Sequence, residues 1–315
     1  MFQLSFASFT PKRKEIRVDL FLSEMNTIVP WDCLLKLIGP YYPKAGNGRR
    51  PIELLLMLKI YCLQQWFNLS DPGMEEAIYD RHSFQRFLRI DLISDSVPDE
   101  TTILHFRHLL EKHQLAEEIF TSINNYLQEK GLTMKKGTIV DATIVTSSSS
   151  TKNAKKKRDP EMSSTKKHGK YYFGMKVHTG NDAKSGLIHS IEITTAKTSD
   201  HKMLPYLLHG QEEAIFGDKG YYCEKDKKYA REAEVFWGVL DRRKPKRKLS
   251  SKQEKRNRRL SSVRSKVEFP FRVIKRLWGH RKTRYRGLWK NRSHWHMLAA
   301  LSNLYLTRKK LLRIA

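Results

Sequence analysis

Ile139-Val140-Asp141-Ala142-Thr143-Ile144-Val145 decides the fold. β-branched side chains crowd this run as in a strand buried on both faces, and Lys135-Lys136-Gly137 supplies a turn before it. An acid in its middle is out of place. A buried, unpaired carboxylate is costly, so Asp141 must be protonated, salt-bridged or bound to a metal, unless it sits at a strand end and only caps a turn.

Working outward, Ala214-Ile215-Phe216-Gly217-Asp218-Lys219-Gly220-Tyr221 repeats the theme: a short apolar run ends in an acid, and Gly220 lets the chain turn sharply. Carboxyl ends of parallel strands open onto the crevice where ligands bind, which makes Asp218 a second candidate. Taken alone it reads better as a solvated acid in a turn. The third carboxylate is notable for its company. From Arg242 to Arg292 there are 22 Lys or Arg against two acids, Glu254 and Glu268, so the window carries 22 − 2 = +20 of the formal +27. Glu254 falls in a solvated stretch. Glu268 opens an expected helix over about 263–278, with Val267, Phe271, Ile274, Leu277 and Trp278 on one face and Arg264, Glu268, Arg272, Lys275 and Arg276 on another. An intrahelical salt bridge of Glu268 with Arg264 or Arg272 would explain that pairing, but not Asp141 and Asp218.

The chain has 60 basic and 33 acidic side chains in 315 residues and an isoelectric point near 10.0, a balance that favours a polyanionic partner. Phosphate backbone fits best, because Lys and Arg gain affinity by releasing its condensed counterions. With 39% hydrophobic residues the chain has material for a sizeable core. Cys33, Cys62 and Cys223 are scattered without CxxC spacing, which points to a reducing cytosol and against a zinc ribbon or disulfide frame. His178 and His201 lack metal-ligand spacing and read as structural or DNA-contacting. The N-terminus has no apolar signal region, and the apolar stretch Leu54 to Leu63 is interrupted by Lys59 and too short to span a bilayer. A cytoplasmic protein without a membrane partner is expected.

Residues 1–50 read as an irregular arm with a short helix around Glu24 to Ile38. Helical patterns follow: from Pro51, with Leu54, Leu55, Leu58, Tyr61 and Cys62 as a stripe; after Ser70-Asp71-Pro72; over Ser83 to Leu88; and from Asp99 as N-cap through Ile103 and Phe106 to Leu127. Several short helices in a basic protein suit a helix-turn-helix that reads DNA, and equally a packing or dimerisation unit. After Gly137 the period becomes two. Strands are expected at 138–145, 171–179, 187–194, 214–218 and 235–240. A polar loop covers 146–168, Ser199-Asp200 caps a helix, Glu224 to Glu234 is helical, 242–262 is mobile without its partner, and helices close the chain at 263–278 and 291–312. Three antiparallel strands followed by helix, strand, helix, strand and a late helix is the order of a ribonuclease-H-like fold.

These residues resemble a DDE transposase of bacterial insertion sequences, more narrowly the insertion sequence five (IS-five) family within the IS-four-like superfamily. The likeness runs nearly end to end through Tyr41-Tyr42-Pro43-Lys44-Ala45-Gly46-Asn47-Gly48-Arg49-Arg50-Pro51, Asn68-Leu69-Ser70-Asp71, Thr101-Thr102-Ile103 with Phe106-Arg107-His108-Leu109-Leu110-Glu111, Val140-Asp141-Ala142-Thr143-Ile144, Phe173-Gly174-Met175-Lys176-Val177-His178, Asp218-Lys219-Gly220-Tyr221 and Val267-Glu268-Phe269-Pro270-Phe271-Arg272-Val273-Ile274-Lys275-Arg276. The superfamily's helix motif is Tyr, two residues, Arg, three residues, Glu, six residues, Lys. Arg264, Glu268 and Lys275 fit it, while Ser261 stands at the tyrosine place.

The resemblance implies an α/β fold: a ribonuclease-H-like mixed-sheet catalytic domain at 133–280 with a basic insert at 242–262, an all-helical DNA-binding or dimerisation domain at 51–132 after the arm, and a C-terminal helical extension at 281–315. It implies Asp141, Asp218 and Glu268 as the catalytic and metal-holding triad, Arg264 and Lys275 as DNA contacts, and residues near 40–130 as readers of terminal inverted repeats. Three carboxylates suit two hard divalent cations, Mg²⁺ or Mn²⁺. Partners would be double-stranded DNA, as element ends and target, and a second copy in a homodimer, since two ends must be paired. Arg272, Lys275, Arg276, Arg281, Lys282, Arg284 and Arg286, interleaved with Trp278, Tyr285 and Trp289, suit phosphates and sugars or an unstacked base, though a solvated basic face with its aromatics turned to the core has the same pattern. Arg49, Arg50, Arg107 and Lys176, within the matching segments, join the expected DNA contacts. A metal-dependent nuclease of the same fold, and a non-catalytic DNA-binding descendant of a transposase, are the alternatives.

Overall fold

The computed structural model describes residues 15–46, 50–133, 136–154, 156–167, 169–243 and 248–314. Its first half is helical: α1 (Arg17–Ile28), α2 (Trp31–Ile38), α3 (Leu54–Trp66), α4 (Asp71–Asp80), α5 (His82–Leu88), α6 (Glu100–Lys112) and α7 (Leu115–Glu129). The expected caps form. The Ser70 side chain accepts from Gly73 N and starts α4, and the Asp99 side chain accepts from Thr102 N and starts α6. The arm, expected to hold one short helix around Glu24 to Ile38, gives two helices in its described part, separated where Pro30 forces Val29 out of helical geometry (ψ 126°). The long helix expected after Asp99 is broken at Gln114, which takes a left-handed φ of 55°.

The sheet follows: β1 (Gly137–Thr146), β2 (Ser163–Lys167), β3 (Lys170–Asp182) and β4 (Ile188–Thr195), then α8 (Leu204–Leu207), β5 (Ala214–Gly217), α9 (Glu224–Glu232) and β6 (Phe236–Val239). β1, β3 and β4 are antiparallel neighbours, whereas β5 runs parallel to β1 and β6 parallel to β5. The order β4-β3-β1-β5-β6 is the ribonuclease-H-like arrangement, with β2 added against the first part of β3. β2 lies inside the expected polar loop. Its side chains are polar, and its antiparallel ladder to β3 makes it a strand.

Three helices complete the chain: α10 (Ser251–Arg264), α11 (Glu268–Arg272) and α12 (Leu288–Leu311). α12, the expected C-terminal helix, is part of the core. From Ser293 to Leu304 every residue is buried, and the helix packs on α7, β4, α1 and α3. One apolar cluster therefore runs from α1 through α7 to the sheet face bearing Val145, Met175, Val177, Ile191 and Ile193. The other face is covered by a smaller cluster of Val140, Leu204, Leu207, Ile215, Tyr221, Ala230, Trp237 and Val239. The described part of the basic stretch, expected to be mobile, forms α10. Ser250 and Gln253 make a capping box, Leu260 is buried, and Arg256 donates to Trp237 O (2.5 Å), Val239 O (3.1 Å) and Asp241 (3.0 Å) at the end of β6.

Candidate active site

The parallel pairing of β1 with β5 ends at Val140 opposite Gly217, so Asp141, in the middle of β1, and Asp218, the residue after β5, are the next residues on two adjacent strands where that pairing stops. β1 is fully buried from Thr138 to Val140 and half-buried from Asp141 to Ile144. The run is thus not buried on both faces throughout, as its composition suggested, because β1 loses its β5 neighbour at the acid. Asp218 starts a turn in which its Oδ1 accepts from Gly220 N at 2.6 Å. Gly220 is needed for space rather than for an unusual dihedral: a Cβ there would lie 2.8 Å from Asp218 Oδ1 and 3.5 Å from Asp200 Oδ2.

Burial pushes the Asp141 carboxyl up to about 6, and neighbouring Asp218 pushes the same way, while the Ala142 N–H, Arg264 and Lys167 oppose the rise. Two acceptor-only carboxylates repelling one another where the β1–β5 pairing stops fit a hard cation, which takes oxygen ligands and relieves the repulsion. Among the described residues, no group of three or more His, Cys, Asp or Glu is close enough to hold a metal ion. Asp141, Asp218 and Glu268 are accordingly not gathered into a metal-holding group. The helix of Glu268 buries Val267, Pro270, Val273 and Ile274, which turns position 268 to solvent. The backbone just before it, residues 265–267, runs alongside β1, and Lys266 Nζ is tied to Ala183 O at 2.9 Å.

Two basic residues of the helix motif do reach the site. Arg264 is half-buried, its Nε lacks a hydrogen-bond partner, and its charge acts on Asp141 and Tyr221. Lys275 donates to Thr143 Oγ1 at 2.7 Å and Ile144 O at 2.5 Å, on the strand face that carries Asp141 two residues earlier. Burial, then Lys167, lowers Lys275 to about 8.

The other expected DNA contacts divide. Arg50, Arg272, Arg276, Arg281, Lys282 and Arg286 are exposed, and Arg49 lies outside the described residues. Arg107 does not face solvent: its guanidinium is buried between Asp71 (2.8 Å) and Glu111 (3.1 Å) and lies over the Tyr285 ring. Lys176 is similarly committed, to Asp200 Oδ1 (2.9 Å) and Thr198 O (2.7 Å). Arg284 donates to Asn68 O (2.7 Å) and Leu69 O, clasping the residues that follow α3. Trp278 is in the core against Tyr305, and Tyr285 packs on His294; Trp289 is half exposed.

Sequence reasoning missed Asp200. It was expected to cap a helix, but its Oδ1 takes Lys176 and its Oδ2 lies no more than 2.8 + 3.5 = 6.3 Å from Asp218 Oδ1, through the point where a Gly220 Cβ would sit. Buried His178 is beside it, 3.8 Å from Asp200 Oδ1, with Nε2 on Thr194 Oγ1, and burial holds His178 down to about 4. Tyr221 is also part of this cluster. It is 1% exposed, its hydroxyl has no partner, and burial, then Asp200, Asp141 and Asp218, raises it well above its ordinary value. Lys176-Val177-His178, alternate residues on one strand face, was the signal available for this cluster.

Residues 132–304, more than half of the chain, match the family model described as Transposase DDE domain. Residues 9–109 match the model described as Transposase domain (DUF772). Among the described residues, no helix is long and apolar enough to cross a membrane.

Proposed function

Because the chain belongs to the DDE transposase family, we propose that it is the transposase of an insertion sequence of the IS-five group within the IS-four-like superfamily, binding the terminal inverted repeats, cleaving DNA at the element ends and joining them to target DNA. The observation that carries this reading is that Asp141 in β1 and Asp218 just after β5 are the next residues on neighbouring parallel strands where their pairing stops, inside the matched region. Asp141 and Asp218 would hold the ions, with Glu268 of α11 as the third carboxylate of the set. The short 3₁₀ turn at 265–267 before α11 and the π-helical turn at 273–277 after it support this assignment, since both are local departures through which a helix can shift register.

When bound at this crevice, Mg²⁺ or Mn²⁺, two ions by the chemistry of in-line phosphoryl transfer, would supply Lewis acidity to the attacking and leaving oxygens. The chain's own residues do the rest. The Gly220 N–H fixes Asp218 in one orientation. Arg264 offsets negative charge beside Asp141, and Lys275 holds β1 at Thr143 and Ile144, next to the strand position that carries Asp141. The exposed cations Arg272, Arg276, Arg281, Lys282 and Arg286 hold the DNA backbone. Residues near 40–130 read the inverted repeats, and a homodimer pairs the two ends.

A duplex made from DNA flanking the coding region, with a pre-cleaved 3′ end, tests the reading. In Mg²⁺ the protein should join that end to a target plasmid, and Asp141→Asn should abolish joining while retaining duplex binding. Nicking without joining would leave a nuclease of this fold; binding without cleavage in any divalent ion would leave a non-catalytic DNA-binding protein.

A further inference from the structure

Where β1 leaves the sheet, Ser147, Ser148 and Ser150 line a recess of about 350 Å³ with Lys152, and residues 283–286 close its far side. The wall is firmly tied. Thr283 N donates to Thr146 O at 2.8 Å, Arg284 clasps the end of α3, and Arg286 donates to Arg158 O at 3.3 Å. Gly287 N and Leu288 N at the start of α12 are already taken by Asp159 Oδ2 (2.7 Å) and Glu161 Oε2 (2.6 Å), so the helix end itself offers no anion site.

The hydrogen-bond directions within the recess select the ligand. Ser148 Oγ accepts from Ser150 N at 3.3 Å and Ser150 Oγ accepts from Lys152 N at 3.2 Å, so each hydroxyl keeps its O–H to donate. Lys152 and Arg286 add cationic donors, and among the described residues neither has a carboxylate partner. The one acid lining the recess, Asp159, has both oxygens occupied, by Glu161 N and Gly287 N. A concave site of this size, lined by the cations Lys152 and Arg286 and by hydroxyls free to donate, with its one carboxylate already accepting two backbone N–H groups, favours an anion larger than a simple ion.

We propose that this recess is a subsite for one backbone phosphate of the DNA and its sugar, held by Ser148, Ser150, Lys152 and Arg286; it rests on the reading that the chain acts on DNA. Ser147 lies six residues beyond Asp141 along the β1 chain, roughly 20 Å at strand rise. At one phosphate per 3.4 Å of axis on each strand, the contacted phosphate lies on the order of six nucleotides from the scissile bond. Ser147 to Ser150 thus fix the DNA's register along the strand that carries the first catalytic acid.

A scan with single neutral methylphosphonates along the flanking-DNA duplex tests this. In the parent protein, neutralising one phosphate, or two adjacent ones, in that region should weaken binding about tenfold. Lys152→Ala and Arg286→Ala should each weaken unmodified duplex by a similar factor, lower the salt slope by about one, and lose sensitivity at that position while keeping it elsewhere. Both side chains are exposed, so thermal melting should not change. Duplex binding with the same phosphate sensitivities in parent and variants would overturn the subsite alone. Failure to bind any duplex would overturn the DNA reading and the subsite with it.

Discussion

β1 and the segment from Arg264 to Trp278 bring charged residues to the same place by opposite means. β1 is clamped on both sides, by an antiparallel register to β3 that runs from Thr138 to Thr146 and a parallel one to β5 that stops at Val140. Asp141 has no freedom to move except with the sheet. The later segment passes from α-helix to a 3₁₀ turn, back to α-helix and into a π turn; Val273, Ile274 and Trp278 pack it on the core beside α12, and Lys266 ties it to the β3–β4 turn and Lys275 to β1. Its acid, Glu268, is exposed. The strand half of the site is preformed at the expense of burying charge, whereas the helical half carries its acid in water and has yet to deliver it.

The largest effects should separate the two halves by stability rather than by activity. Asp141→Asn and Glu268→Gln should each lower end cleavage in Mg²⁺ by on the order of 10³-fold. Glu268→Gln should leave urea unfolding within about 0.5 kcal/mol of the parent, because the side chain is solvated. Asp141→Asn should raise metal-free stability at neutral pH by roughly 1 kcal/mol. A carboxyl whose folded pKa is raised to about 6 destabilises the fold once ionised, and the amide removes that charge. Parent-level cleavage by Glu268→Gln would remove it from the site and make Asp200 the acid to test.

Lys275 sharpens the contrast because its cation belongs to one half and its partners to the other. Its folded pKa, lowered to about 8, lies below the ordinary lysine value of 10.5, so the unfolded chain binds more protons between those pH values and stability rises with pH across that window. Subtracting the unfolding free energy of Lys275→Met from that of the parent at each pH should give a difference that grows by roughly 1–2 kcal/mol from pH 8 to pH 10.5, reduced from the full linkage value by partial exposure. Lys167→Ala should move the onset to higher pH by removing the like charge. A flat difference would mean that Lys275 is solvated and the two halves are not in contact there.

The sheet was legible where side chains face an apolar core. β-branched runs marked β1 and β5, and local side-chain chemistry marked the caps at Ser70 and Asp99. Asp141 and Asp218 were visible because an acid ending an apolar run is anomalous by itself. What could not be read was set by partners distant in sequence. Arg107 looked like a DNA contact until Asp71, 36 positions away, received it. Lys176 looked free until Asp200 paired with it across a strand and a turn. β2 has no apolar period because its ladder to β3 makes it a strand. α10 is a different case: charge density suggested mobility, while the Ser250-x-x-Gln253 box, readable from the sequence, argued for a helix start.

That box gives the smallest test of the comparison. Ser250→Ala removes the oxygen that accepts from Gln253 N (3.3 Å) and leaves Gln253 with only the Ser250 N–H to bind. The loss should be about 1 kcal/mol. α10 buries only Leu260 and is attached mainly through Arg256 and Asn257 to the end of β6, so the loss should stay local. Amide exchange across α10 should quicken about fivefold, while β1 amides and the global urea midpoint stay where they were. Equal loss of protection in β1 would show that the basic helix and the strand unfold as one unit, and the division into a rigid acidic half and a separately adjustable helical half would fail.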